Sequence, residues 1–133
     1  MGIEQPLAAL GGGDPEKSWV RNEETDFRQI DSEDRALAEW AKQTGHFMPL
    51  PEVEALILSA DSTADGNEHD VLLFRREGHV VRLTKQDMFG KPMRAPSEYL
   101  RRWLDFNRLF PCSAVEFIGY TQNYRGNGVI LLR

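Results

Sequence analysis

The residues best suited to chemistry lie between Gly66 and Gly90, in GNEHDVLLFRREGHVVRLTKQDMFG. A glycine-containing polar loop leads into two apolar runs joined by Glu77-Gly78, and the second run closes with Arg82 and Lys85. Backbone amides of such a loop, set beside a cation, can cradle a phosphate. Gly66 and Arg82 are therefore candidate nucleotide- or phosphate-binding residues, set against the plainer reading of a small sheet edge. Glu68, His69, Asp70 and His79 are metal-ligating types. Neighbouring strand residues point to opposite faces, however, so the adjacent ligands cannot converge. His46 is remote in sequence, and no Cys or H-x-x-x-H partner exists. No metal site is expected, and His69, at the junction of loop and strand, reads as a hydrogen-bonding residue that fixes the loop. The chain has no G-x-S-x-G nucleophile motif. Its single cysteine, Cys112, reads as a small packed residue, excludes an internal disulfide and suits a reducing cytoplasm.

The elements that must position these residues follow from periodicity. SEDRALAEWAKQTG is a helix, with Ser32 able to cap it, Gly45 able to close it, and Leu37, Trp40 and Ala41 on one face. EVEALILS is too short to decide between strand and helix, and STADGNEHD reads as a loop. VLLFR and HVVRLT form a hairpin turning at Gly78, and KQDMFGKPMRAP reads as a second loop. PSEYLRRWLDFNRLFP is a helix with Ser97 as its cap. Tyr99, Trp103, Phe106 and Phe110 make an aromatic stripe, opposite Arg101, Arg102, Asp105 and Arg108. AVEFIGYTQ and GVILLR are two further strands. Residues 1–30, with Gly11-Gly12-Gly13 and many acids, read as a flexible acidic arm. Residues 31–133 then form a single α+β domain: a mainly antiparallel sheet of about five strands, one main packed helix and a preceding N-terminal helix.

Composition bounds the function. The 133 residues, 41% hydrophobic and 28% charged, suit one globular domain. A net charge of −5 argues against a general nucleic-acid binder. No apolar run approaches a membrane span, and the first residues lack a secretory signature, so a cytoplasmic location without membrane contact is expected. The arginines from Arg75 to Arg108 make the second half locally basic, which solvates a surface or builds an anion site.

The segments AEWAKQTG, GNEHDV, GHVVRLTK, FG, SEYLRRWLDFNRLF and EFIGYTQ, in that order over about residues 37 to 133, resemble the kinase-like domain of the polyvalent proteins of phages, plasmids and prophages. The strand-strand-helix-strand-strand order is also that of a protein-kinase small lobe. The resemblance implies that Arg82 stands where kinases keep a third-strand lysine, and Glu98 where the next helix supplies its paired glutamate. The departures are as telling. Only Gly66 remains of a G-x-G-x-x-G loop, Val80 replaces a small residue over the adenine, and neither H-R-D nor D-F-G is present. A structural ion pair, or Glu98 pairing with Arg102, is the plainer reading of Arg82 and Glu98.

The expected function is thus a non-catalytic, small-lobe-like binding module of a mobile-element protein, acting on another protein or on a missing C-terminal lobe. No cofactor is expected beyond weak ATP or phosphate binding. An excised part of an active phosphotransferase is the first alternative. A stand-alone phage-type inhibitor of a host defence protein, its acidic arm mimicking nucleic acid, is the second.

Overall fold

A computed structural model describes residues 1–11, 27–85, 95–123 and 126–133. In chain order its elements are helices α1 (Glu4–Ala9), α2 (Phe27–Thr44) and α3 (Leu50–Ser59), then strands β1 (Ser62–Asp65), β2 (His69–Phe74) and β3 (His79–Thr84). Helix α4 (Pro96–Leu109) and a 3-10 turn at Pro111–Ser113 follow, then β4 (Phe117–Gln122) and β5 (Gly128–Leu132). The strands form one antiparallel sheet in the order β1-β2-β3-β5-β4, which makes the protein α+β. The β2–β3 hairpin turns where Gly78 adopts a φ of +71°, and it pairs Leu73 with Val80 and Val71 with Arg82.

Alternation along the strands splits the core in two. Leu72, Phe74, Val81, Leu83, Val129 and Leu131 point to one face, where Val53 of α3 covers them. Phe117, Tyr120, Ile130 and Leu132 point to the other face, under Leu37 and Ala41 of α2, Tyr99, Leu100 and Leu104 of α4, and Ile3 and Leu7 of α1. The outer edge of β4 is masked by the chain after α2: Tyr120 N–H donates to the His46 carbonyl (3.0 Å), and Met48 N–H to the Tyr120 carbonyl (2.8 Å). A covered edge cannot pair with another chain.

Several sequence expectations change here. The ambiguous EVEALILS belongs to a helix, α3, whose start is favoured by Pro51 in its first turn. STADGNEHD is not simply a loop, since Ser62–Asp65 pairs with Asp70–Leu73 as an edge strand. Besides the two expected helices, α2 and α4, the short α1 packs on the same face of the sheet. Ser32 lies inside α2 rather than capping it. Nor does the Ser97 side chain cap α4. Its backbone N–H donates to Glu33 Oε1 (2.8 Å), so a carboxylate from α2 serves that helix end instead. Residues 86–94 of the expected loop KQDMFGKPMRAP lie outside the described residues.

The largest correction concerns the arm. Residues 1–11 are packed on the domain: Ile3 is 0% and Leu7 2% exposed, and Phe117 N–H donates to the Met1 carbonyl (2.8 Å). Residues 12–26 of the expected arm lie outside the described residues. The domain therefore begins before residue 31. Ile3, Leu7 and Leu10 recur at helical spacing, a short apolar stripe that the neighbouring glycines and acids obscure in the sequence. A six-residue helix is too short to persist unaided, so its stability comes from the groove it fills.

Between the helical layer and the sheet, Tyr120 Oη donates to Asp34 Oδ1 (2.7 Å) directly over Gly128. A β-carbon at residue 128 would overlap Asp34 Oδ1 and lie 2.8 Å from the Tyr120 hydroxyl. Gly128→Ala is expected to cost roughly 1–3 kcal/mol in urea melts through this overpacking. Leu7→Ala is expected to cost about 2–5 kcal/mol, whereas Glu4→Gln, on the exposed side of the same helix, stays within about 0.5 kcal/mol. Equal melts for the two α1 variants would mean that the helix does not dock in solution.

Candidate binding site

Register and helical spacing bring one group of polar and aromatic side chains together. His69 opens β2 and is partnered with Thr84, while Tyr99 and Trp103 stand one turn apart on α4. His69 Nε2 lies 2.7 Å from the Tyr99 hydroxyl, and its ring meets Trp103 edge-on at 6.0 Å. Arg82, on β3, lays its guanidinium over the Trp103 ring with Cζ 5.4 Å from the centroid. At the outer rim Arg102 makes a bidentate pair with Glu68 (3.0 and 3.2 Å). The cluster clamps the loop before β2 to α4. Burial pushes the Tyr99 hydroxyl well above its ordinary range. Burial also lowers the pKa of His69, aided by the positive charges of Arg82 and Arg102 and opposed by Glu68.

The candidate phosphate residues do not assemble. Gly66 N–H is already bonded to the His69 carbonyl (2.9 Å), where it tightens the loop rather than pointing to a ligand. Glu98 is exposed on α4, and among the described residues no ion pair joins it to Arg82. Arg82 has turned toward Trp103 instead. Lys85, the other cation of the hairpin, is paired with Asp65 and lies 3.9 Å from Asp70. His79 stacks on Phe74 (5.2 Å) and His46 on Trp40 (5.5 Å). Among the described residues no three His, Cys, Asp or Glu side chains gather as a metal site. Cys112 is exposed, contrary to its reading as a packed residue, because it sits in the short turn that leaves α4.

One cleft, of about 450 Å³, forms between the β2–β3 hairpin and the turn after α4. Its floor includes Leu73 and Val80, paired across the hairpin, and Arg75, Arg82 and Arg133 line it together with Ser113–Val115. The far wall is fixed by the Asn107 side chain, which donates to the Val115 carbonyl and accepts from the Val115 N–H, both at 2.7 Å. Arg133 is held by Glu116 (2.9 Å). Neither Arg75 nor Arg82 meets a carboxylate at ion-pair distance among the described residues. Beside the cleft the end of α4 presents Leu109 and Phe110, 74% and 54% exposed. The sequence marked the run of arginines but not this grouping. Arg75, Arg82 and Arg133 meet only through strand pairing.

No protein-family model, curated protein or solved structure matches the chain. Among the described residues no helix is long and apolar enough to cross a membrane.

The depressed pKa of His69 sets a pH dependence. Unfolded histidine titrates near about 6.5. Between that value and the lower folded one, the unfolded chain binds the extra proton, so stability rises with pH across this window. The His69 contribution is complete above about pH 6.5 and is lost as pH falls through the folded value. Thermal midpoints should therefore drop between about pH 7.5 and 5.5, with a shallower slope in His69→Gln. An unchanged slope in the variant would place the titration elsewhere.

Proposed function

We propose that this chain is a non-catalytic, small-lobe-like binding module of a mobile-element protein that works by contact with another protein. The observation that carries the reading is the apolar end of α4. Leu109 and Phe110 stand in solvent beside a preformed cleft, and large apolar side chains grouped at a surface favour a protein contact. The chain order β2-β3-α4-β4-β5 accords with the small-lobe resemblance, with Arg82 on the third strand and Glu98 on the helix that follows. The residues that would hold a nucleotide are engaged otherwise: Gly66 within its own loop, Arg82 on Trp103. This weighs against the reading as half of an active phosphotransferase. The inhibitor alternative is weakened too, since the first eleven residues of its acidic arm belong to the packed domain.

Selection from a displayed library of folded domains and peptides is expected to yield saturable ligands of the purified chain. They should protect Cys112, next to Phe110 and Pro111, from alkylation. Phe110→Asp should weaken at least some of them about tenfold, as loss of a central apolar anchor does. Recovery of no ligand, or only of ligands that leave Cys112 fully reactive, would sink the proposal.

Calorimetry with ATP and magnesium should show binding no tighter than high micromolar to millimolar, about −4 to −6 kcal/mol. A micromolar constant lost in Arg82→Ala would restore the phosphotransferase alternative.

A further inference from the structure

We infer that the cleft between the β2–β3 hairpin and the turn after α4 receives an extended acidic segment of the partner protein. An aliphatic or aromatic side chain of that segment rests on Leu73 and Val80, and its carboxylates meet Arg75 and Arg82. The inference deepens the protein-contact reading and rests on it, because it names the chemistry of the partner.

Charge complementarity is the first argument. The chain as a whole carries −5, yet this cleft is lined by arginines. Of these, Arg133 is already balanced by Glu116. Among the described residues Arg82, partly buried, lies over the Trp103 ring and meets no carboxylate at ion-pair distance, and Arg75 is exposed. A partly buried guanidinium without a carboxylate favours an incoming one, and its planar fork accepts both carboxylate oxygens. The apolar floor is the second argument. Leu73 and Val80 lie on the same face of the hairpin as Arg82, half-buried. A bare inorganic anion would leave them uncovered, whereas a peptide with an apolar side chain between acids would not.

A preformed wall supplies the third argument. The Asn107 amide holds the opposite wall in place before anything binds, which lowers the ordering cost of docking.

The test is selection of short random peptides on the wild-type chain, followed by fluorescence anisotropy with a synthetic copy of the most enriched sequence. Enriched peptides should carry Asp or Glu on both sides of one aliphatic or aromatic residue. Affinity should fall about tenfold in Arg75→Gln and at least as far in Arg82→Gln, and should weaken with added salt. Arg82→Gln also removes a contact to Trp103, so Arg75→Gln, on an exposed side chain, keeps the test decisive if the other variant is unstable. Full displacement by millimolar inorganic phosphate would overturn the peptide assignment and leave a simple anion site. Peptides without acids, or peptides indifferent to both arginine variants, would overturn the inference. If those peptides still protected Cys112 and depended on Phe110, protein contact would stand and only the cleft would be wrong. Failure to enrich any saturable peptide that protects Cys112 would count against both.

Discussion

Everything in this fold depends on covering both faces of one strand. Gly128–Leu132 offers no polar side chain, lies between two neighbours in the sheet and is buried along its whole length. A central strand of this kind is stable only with apolar layers above and below. Among the described residues the layer on one side is assembled from three separate helices, and on the other from α3. The Tyr120–Asp34 hydrogen bond is a polar pin through the thicker layer. It occupies the space that Gly128 leaves by having no side chain. Van der Waals packing and one charge-assisted bond thus fix how the helices sit. The cleft wall and the aromatic cluster inherit their positions from that arrangement.

Much of this was legible in the residues. The hairpin VLLFR–HVVRLT, the helix beginning at Pro96 and the last two strands follow from alternation and helical spacing, and each lies close to where the pattern puts it. The missed parts share a cause. Strand β1 is polar and exposed, so it has no hydrophobic period to read; only pairing with β2 makes it a strand. Helix α1 has a short apolar stripe whose burial is decided by residues distant in sequence, on α2, on α4 and at Phe117. The capping of α4 by Glu33 is equally non-local.

The site shows the same division. Spacing drew attention to Arg82 and His69, and both belong to the cluster beside α4. The small-lobe resemblance also coupled Arg82 to Glu98, but the guanidinium lies over the ring of Trp103, whose face attracts a cation. Gly66 was conspicuous as a glycine in a polar loop, yet its amide serves a short-range turn. No sequence pattern joins Arg75 to the segment Ser113–Val115. Their meeting depends on how far α4 runs before Asn107 fastens the chain behind it.

The strand at the centre of the sheet has a kinetic consequence. β5 follows every other strand in chain order but lies between β3 and β4. During synthesis the three-strand meander emerges first, with one flank of β3 open and its apolar faces uncovered. The α1 segment emerges earlier still, carrying Ile3 and Leu7, and its groove is complete only once α4 and Phe117 have followed α2. Folding therefore closes late and over long loops, the condition that slows assembly and prolongs exposure of sticky surface. A chain stalled before β5 would hold local helices and a hairpin without a joined core. Such a nascent chain is one that chaperones would have reason to hold.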